Sequence, residues 1–539
     1  MKIVLFYRLF IPVIKFRSLK KFALFHMLIS SIVLGAMTGC SIQKKEVQLK
    51  RDDGLISFNL LQINDIYEIA PLSNGQIGGV ARVATIDHEL KAKNPNTLTV
   101  LAGDFLSPSL MSELSIDGQK IAGRQMIEAL NSAGIDLVTF GNHEFDLKEE
   151  QLQGRIDESQ FIWMTSNILH RSPEGELNRF HKDKNGHRSY FPDSYIWHIR
   201  DADGTRLKVG FFGVTLSSFT KSYVYYEDVF LEAKKAYQHL ADQCDIVLGI
   251  THLPISQDRE LAVLLPDISL IMGGHDHNHM LHRVGAVQIA KADANARSAY
   301  IHHFTYDHNT KKYDLTSELK VLDEEVARDE MTTRIVEKWE GMMLERIGEV
   351  IQDPKRIIFE TTAPLDGLES SVRYHPTNLG VIITSAMAAA AKKPVVGAIF
   401  NSGGIRLDDV LTGSISAIDI FRTLPYGGAI YEVEMTGRLL IDVLRYAEAH
   451  KGDGAYLQRF NLEKDANSGK WLAKGLPILP DQNYRIVLND YLMTGFDIPF
   501  LVEDHPGILS IDRPDKEVLT DQRNDIRVVV VNYLNNGRK

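Results

Sequence analysis

Residues 135–144, IDLVTFGNHE, decide the fold class, because a short apolar run ends there abruptly in Gly, Asn, His and Glu. Helical stretches at 80–92 and 121–133 alternate with such runs. The pattern predicts buried strands of a layered α/β domain, in which sites lie at the strand ends. The other runs, most of them ended by Gly, Asn, Asp or His, are 58–63 before Asn64-Asp65, 97–101 before Ala102-Gly103-Asp104, 207–214, 246–250 before Thr251-His252, and 268–272 before Gly273-Gly274-His275-Asp276-His277.

Length and composition set the class of protein. The 539 residues exceed what one core needs, which predicts two folded domains, and 44% hydrophobic with 24% charged residues is typical of soluble globular chains. Residues 1–40 carry six basic and no acidic residues, so the remainder has a formal charge of −16 against −10 for the whole chain. Such an acidic body excludes nucleic-acid binding by general charge, and a phosphate-bearing ligand would need local Arg residues or metal ions.

The N-terminal 40 residues predict export. Basic residues 15–21 precede the apolar run 22–36 and then Met37-Thr38-Gly39-Cys40, which resembles a bacterial lipobox with Cys40 as the lipidated residue. An uncleaved membrane anchor is the alternative, and both interpretations tether the chain to a membrane of the bacterial envelope, on the periplasm side or at the cell surface. Cys244 is the only other cysteine, so the sequence has no disulfide framework.

The chain divides into five segments. We expect a signal peptide with lipobox at 1–40, a tether at 41–54, a catalytic domain at 55–325, a linking helix at 326–350 and a substrate-binding domain at 351–539. Apolar residues at near-helical spacing from Val326 to Ile347 predict the linking helix. Strand candidates in the last segment are 395–400, 430–435, 484–488 and 526–531.

The strand ends of the first domain carry oxygen and imidazole ligand types: Asp65, Asp104, Asn142, His252, His275 and His277. They suit Mn, Zn, Fe, Co or Mg, and six ligands exceed what one tetrahedral ion uses. A two-metal site follows, which could clamp a phosphoryl group and activate a bound water. Because His143 is adjacent to Asn142, it would be free of the metals, and His143 with Asp146 is the general-acid candidate.

These motifs resemble the calcineurin-like metallophosphoesterase superfamily. Phe145-Asp146 after the Asn-His-Glu, with Gly78-Gly79-x-Ala81-Arg82 upstream, narrow the resemblance to the 5'-nucleotidase and UDP-sugar hydrolase family. The resemblance implies a four-layer α/β/β/α domain joined by a helix to an α/β nucleotide-binding domain. It also implies two divalent ions, one held by Asp65, Asp104 and His277 and the other by Asp104, Asn142, His252 and His275.

The first motif departs from the family pattern, which has Asp-x-His where this chain reads Asp65-Ile66-Tyr67. A tyrosine has a reference pKa near 10, so it is a poor ligand at neutral pH unless a metal displaces its proton. We therefore expect a weakly held first ion or a harder ion such as Mn or Fe(III), with Tyr67 as a further ligand only in the second case. Loss of catalysis is the alternative.

The second domain offers groups that suit a nucleotide. Arg side chains bind phosphate, Tyr rings stack on a base and a carboxylate binds ribose hydroxyls. The turns around Asn378, Arg406 and Tyr426 resemble the nucleotide-binding C-terminal domain of the family, so the resemblance covers about residues 55–533, although Thr494-Gly495-Phe496-Asp497 replaces the usual Gly-Gly-Asp-Gly. The substrate-binding candidates are Arg373, Asn401, Arg406, Tyr426, Tyr491 and Asp497.

The expected function is metal-dependent hydrolysis of nucleoside 5'-monophosphates, and of related nucleotide anhydrides, by an exported lipoprotein that releases nucleoside and phosphate. One alternative is a phosphoesterase for another phosphorylated or cyclic-nucleotide substrate. The other is a surface nucleotide-binding lipoprotein impaired in turnover through Tyr67. The sequence leaves open the base, the metals, the choice of inner or outer membrane and the oligomeric state.

Overall fold

The computed structural model of the protein describes residues 53–218, 221–518 and 520–537. The predicted signal peptide, Cys40 and most of the predicted tether lie outside these ranges. Within them, no helix combines the length and the apolar character that a membrane crossing requires.

The first domain is built on two six-stranded sheets. In both, the central strands are parallel, so their carboxyl ends meet at one edge. In spatial order the first sheet is β19 (Lys312–Val321), β18 (Ser298–Asp307), β1 (Leu55–Ile63), β2 (Thr97–Ala102), β5 (Leu137–Thr139) and β6 (Ile162–Trp163). The second is β11 (Ser194–Arg200), β12 (Arg206–Thr215), β14 (Ile246–His252), β15 (Leu270–Gly273), β17 (Val287–Lys291) and β16 (Met280–Val284).

Apolar side chains such as Phe58, Val100 and Phe211 pack between the two sheets. Helices α1 (Val80–Lys93), α3 (Arg124–Ala133) and α4 (Glu149–Glu158) pack with the first sheet, and α5 (Val229–Ala241) and α6 (Ile255–Leu264) with the second. The predicted four-layer α/β/β/α architecture is thus confirmed. Short elements complete the domain: α2 (Leu110–Glu113), β3 (Ser115–Ile116), β4 (Gln119–Lys120), β7 (Ile168–Arg171), β8 (Leu177–Asn178), β9 (His181–Lys184), β10 (His187–Tyr190) and β13 (Val224–Tyr226).

Helix α7 (Glu330–Gly348) lies within the segment 326–350, for which a linking helix is predicted. Its buried residues Val336, Trp339, Met343 and Ile347 follow the helical period and join one apolar core that extends into both domains. The Trp339 indole N–H donates to the Glu128 carboxylate of α3 at 2.9 Å. The helix is therefore packed on α1 and α3 of the first domain.

The second domain surrounds a five-stranded sheet in the order β24 (Leu457–Phe460), β21 (Gly397–Asn401), β28 (Asn483–Asn489), β23 (Ile430–Thr436) and β29 (Ile508–Asp512). Three predicted strands correspond to β21, β23 and β28. The remaining elements are β20 (Ile357–Asp366), α8 (Glu369–Val372), α9 (Asn378–Ala389), β22 (Val410–Ser416), α10 (Ala417–Thr423), α11 (Gly437–Ala449), β25 (Leu462–Lys464), β26 (Trp471–Ala473), β27 (Leu476–Pro477) and α12 (Ile526–Asn535).

The prediction of a strand at 526–531 is wrong, because these residues form the start of α12. The Asp525 carboxylate caps the helix by accepting the Arg527 backbone N–H at 2.9 Å. The buried residues Ile526, Val529, Val530 and Leu534 recur at helical spacing and join the apolar core that includes α9. Burial of this face overrides the strand preference of the valine run.

Candidate active site

Three side chains from the two sheets meet where the parallel strands end. Asp65 follows β1, Asp104 follows β2 and His252 ends β14, and their ligand atoms all lie within 4.8 Å of one another. The His252 Nε2 atom is 3.2 Å from the Asp104 carboxylate and 3.9 Å from that of Asp65. Asp65, Asp104 and His275 have φ angles of 53°, 57° and 77°, so the backbone turns sharply after each strand.

Close backbone packing at this edge requires glycine at two positions. A side chain at Gly141 would come within 2.1 Å of an Asp104 carboxylate oxygen, and one at Gly274 within 2.3 Å of the Ala102 carbonyl. The glycines of the two motifs therefore let the metal-ligand candidates approach each other.

Three buried polar atoms at this point have no hydrogen-bond partner among the described residues: Asp65 Oδ1, Asn142 Oδ1 and His252 Nε2. Each unsatisfied buried group costs about 1–3 kcal/mol, so such a cluster indicates atoms that would bind a ligand. The donor set is two oxygens and one imidazole nitrogen, which fits a divalent cation. His252 Nδ1 lies 2.8 Å from the Ala102 carbonyl, to which it donates when Nε2 is the free acceptor.

The protonation of two histidines follows from their surroundings. Burial lowers the pKa of His275 to about 3, helped by the neighbouring His252, so His275 is neutral and able to bind a cation. Burial also opposes charge on His252, but the carboxylates of Asp104 and Asp65 outweigh it and raise its pKa to about 9. A cation would thus compete with a proton for the His252 ring.

Glu144 joins the turn that carries Asp104 to the turn that carries Asn142. Its fully buried carboxylate accepts the backbone N–H groups of Asp104, Phe105, Leu106 and Gly141 at 2.6–3.1 Å. Burial and the nearby Asp104 raise its pKa to about 7. Its place in the Gly-Asn-His-Glu run was visible in the sequence, but no role was predicted for it.

The predicted general-acid pair lies together. His143 Nδ1 is 2.7 Å from the Asp146 carboxylate, which also accepts the Ser107 hydroxyl at 3.2 Å. His143 Nε2 faces the second domain, where the Arg406 guanidinium lies 2.8 Å away. One ring nitrogen is therefore oriented by a carboxylate of the first domain, and the other contacts a residue of the second domain.

Tyr67 lies among the candidate ligands. Its hydroxyl donates to the Asp104 carboxylate at 3.0 Å and is 3.2 Å from His277 Nε2. Burial, together with the carboxylates of Asp104 and Asp65, raises the pKa of Tyr67 well above its ordinary value. In this state the phenol is neutral and serves as a hydrogen-bond donor to Asp104.

His277 contacts both domains. Its Nε2 is 3.7 Å from the Asp65 carboxylate, and its Nδ1 is 2.9 Å from the carboxylate of Asp408 in the second domain. Burial opposes charge on the ring, but Glu369, Asp408 and Asp65 raise its pKa to about 10. Sequence reasoning did not find Asp408 or Glu369.

The substrate-binding candidates fall into two groups. Asn401 donates to the Asp497 carboxylate at 2.9 Å, and the Tyr491 hydroxyl donates to it at 3.3 Å. Arg406 lies instead against His143, and Arg373 pairs with Glu369 at 2.9 Å. Tyr426 is 47% exposed and thus accessible to a ligand.

One exposed aromatic ring beside Tyr491 was not among the predicted substrate-binding residues. Phe496 is 72% exposed, and its ring lies near-parallel to that of Tyr491, with centroids 6.4 Å apart and an angle of 15° between the planes. Its signal was the departure of Thr494-Gly495-Phe496-Asp497 from the glycine-rich pattern.

Two family models match this chain. The model described as calcineurin-like phosphoesterase matches residues 58–279, and that described as 5'-nucleotidase, C-terminal domain, matches residues 357–503. The chain belongs to the 5'-nucleotidase family of calcineurin-like metallophosphoesterases. It is therefore an enzyme of the phosphoesterase class. Calcineurin-like phosphoesterases use divalent metal ions, and Asp65, Asp104 and His252 could hold one.

Relatives match along most of the chain. A 5'-nucleotidase of Vibrio cholerae is 25% identical over 555 residues, covering 92% of this chain and 94% of that protein. Protein UshA of Escherichia coli is 24% identical over 553 residues, covering 90% of this chain and 94% of that protein. The solved structure of a 5'-nucleotidase precursor from Thermus thermophilus has the same fold, with a TM-score of 0.69 and 20% identity over 89% of this chain and 96% of that one. The predicted family is confirmed.

Proposed function

We propose that the protein is a metal-dependent hydrolase of nucleoside 5'-monophosphates, and of related nucleotide anhydrides, that releases nucleoside and phosphate. The observation that carries the proposal is the meeting of three unpartnered buried ligand atoms with the His143–Asp146 pair and the second-domain residue Arg406. The names of the relatives, 5'-nucleotidase and UshA, support the substrate class.

Two divalent ions, for which Mn, Zn, Co and Mg are the candidates, would be held by the first-domain residues. Asp104 is shared between the two sites in this proposal. When bound, the ions would supply an activated water and neutralise the charge of the phosphate. The first site would take Asp65, Asp104 and His277, with Tyr67 beside them, and the second would take Asp104, Asn142, His252 and His275.

His143 donates a proton from Nε2 to the leaving oxygen, while Asp146 orients the ring through Nδ1. In the structure Nε2 accepts from the Arg406 guanidinium at 2.8 Å. On substrate binding Arg406 would transfer to the phosphate, which frees Nε2 to carry the proton. The remaining substrate groups lie further into the second domain: Arg373 for phosphate, Tyr426 and Tyr491 for the base, and Asn401 with Asp497 for the ribose. Because the site draws on both domains, rotation of one domain against the other would admit and enclose the substrate.

The test is phosphate release by the full chain, purified in detergent, from AMP, UMP, ATP, UDP-glucose, cyclic nucleotides and p-nitrophenyl phosphate with added Mn, Zn, Co or Mg. His143→Ala should abolish release from every monoester. Tyr491→Ala should reduce kcat/KM for nucleotides about 5- to 150-fold, the value of one base–aromatic stack, and spare the aryl phosphate. Equal nucleotide turnover by Tyr491→Ala and the unaltered chain would contradict the second-domain assignment.

A second candidate is a phosphoesterase for another phosphorylated or cyclic-nucleotide substrate. The exposed Phe496, in a turn where the family has glycine, favours it because it changes the surface beside Tyr491. Release from a compound that is neither a nucleoside 5'-monophosphate nor a nucleotide anhydride, with a higher kcat/KM than AMP or UMP, would establish it.

We also propose that the chain is exported and anchored by a lipid on Cys40, with domain boundaries at 55–325, 326–350 and 351–539. The sequence of residues 1–40 supports the anchor. Cys40→Ser should move the protein from the membrane fraction to the supernatant after cell disruption. Retention of the variant in the membrane would favour an uncleaved apolar anchor instead.

A further inference from the structure

The two histidines that face the candidate metal centre are oriented in different ways. The Nδ1 atom of His252 lies 2.8 Å from the Ala102 carbonyl, a group of the same domain. His277 bonds through Nδ1 to the carboxylate of Asp408, 131 residues later in the chain and in the second domain. The Nδ1 atom of the first ring is thus held within the first domain, whereas that of the second ring is held by a residue of the second domain.

The second domain also provides the other carboxylate that approaches this nitrogen. Glu369 lies 3.6 Å from His277 Nδ1. First-domain contacts hold the His277 backbone instead, since its carbonyl accepts the Ala294 N–H at 2.9 Å and the Arg297 guanidinium at 3.4 Å. The first domain therefore fixes where the residue sits and contacts Nε2 through the Tyr67 hydroxyl at 3.2 Å, whereas the partners of Nδ1 come from the second domain.

Asp408 is itself rigidly placed. Its side chain is 6% exposed, and its second carboxylate oxygen accepts the Glu369 backbone N–H at 2.7 Å. The Arg297 guanidinium lies 3.6 Å from the oxygen that faces His277. A positive charge therefore also stabilises the Asp408 carboxylate in this position. A carboxylate held on both oxygens can define the direction of the imidazole that it binds.

We propose that Asp408 is a positioning residue through which the second domain completes the metal centre of the first. By accepting the Nδ1–H bond it sets the tautomer of His277, so that the Nε2 lone pair faces Asp65 and the first ion site. The second ion site, with His252, needs no such partner. The inference rests on the metal centre of the proposed function and adds that separation of the domains loosens one of its two ions.

The test uses Mn²⁺ alone as the probe, titrated into the metal-free full chain in detergent and followed by calorimetry and electron paramagnetic resonance. In Asp408→Asn, the first site should bind about 10- to 100-fold more weakly, the usual effect of removing such a partner, while the affinity of the second site stays unchanged. The signal of spin-coupled Mn pairs should disappear at ion concentrations that saturate the unaltered chain.

Asp409→Asn is the matched control. The Asp409 carboxylate is next in sequence and also buried, but it contacts the Ser73 hydroxyl and its own loop. It should leave both Mn²⁺ affinities unchanged. Asp408→Ala removes the acceptor altogether and should weaken the first site at least as much as Asp408→Asn.

Selective weakening of one site supports the proposal. Unchanged affinities in both Asp408 variants would overturn it, and so would an equal loss at both sites, because that would make Asp408 a general structural residue. If the unaltered chain bound no Mn²⁺, Zn²⁺ or Co²⁺, the proposed metal centre would fail and the inference with it. That result differs from normal Mn²⁺ binding that stays unchanged in the Asp408 variants, which would overturn the inference alone.

Discussion

Replacement of the buried Lys291 by methionine should destabilise the first domain and loosen the turns that carry the metal-ligand candidates. The Lys291 ammonium is fully buried and contacts the carboxylates of Asp258 at 2.8 Å and Asp276 at 2.6 Å. It also donates to the carbonyls of Leu253 and Gly274 at 2.5 and 2.8 Å. Those carbonyls flank His252 and His275, so one cation joins the two turns.

The expected loss follows from these contacts. Breaking a buried ion pair by removing one partner costs about 3–5 kcal/mol, because the Asp258 carboxylate would remain buried without a counter-ion. Asp258→Asn in the same chain should recover part of the loss, since it removes the unpaired charge. The assay is urea denaturation of the metal-free protein at pH 7.5, with hydrogen exchange in β14 and β15 to localise the effect.

Lys182→Met is the control for the loss of a lysine that donates only to carbonyls. Lys182 donates to Ser159 at 2.8 Å and Phe161 at 3.1 Å, so its replacement should cost about 1 kcal/mol. If Lys291→Met lost no more than this control, the buried cation would not hold the two turns and the reasoning would be refuted.

Two further predictions concern other parts of the chain. Burial lowers the pKa of His302 to about 3, so its contribution to stability is present above pH 6.5 and is lost as the pH falls below that value. The unfolding free energy should therefore drop by up to about 1.4 kcal/mol per pH unit. His302→Gln should flatten this slope in urea titrations from pH 7 to 5. Phe496→Ala should raise KM for nucleotides about 5- to 150-fold with kcat little changed, if its ring stacks on a base; an unaltered KM would exclude that contact, and p-nitrophenyl phosphate is the control substrate.

The sequence predicted the first domain well because its strands are short apolar runs with abrupt ends. It missed the hairpin β18 and β19, which extends the first sheet by two antiparallel strands. Much of β19 is exposed and polar, so it lacks the continuous apolar run that marks a buried strand. The valine run at 526–531 led to the opposite error, a predicted strand where the structure has a helix. Strand preference can be read from the local sequence, whereas the packing of α12 depends on residues far away in the chain.

The meeting of Asp65, Asp104 and His252 could be predicted because strand ends in an α/β sheet meet at one edge. The groups that orient them could not. Glu144 acts through four backbone N–H groups, whose positions depend on the tertiary turn. Asp408 reaches His277 only through the packing of the second domain on the first, and a distance of 131 residues in sequence carries no sign of that contact.

The origin of the ligand candidates in two different sheets has a consequence for the order of assembly. Asp65, Asp104 and Asn142 follow strands of the first sheet, whereas His252, His275 and His277 belong to the second. A chain with only one sheet formed would offer either the oxygen donors or the imidazoles of this set of six, never the mixture. Ion uptake would then follow the docking of the sheets, and the metal content of the enzyme would report the compartment in which folding finished, not the one in which the chain was made.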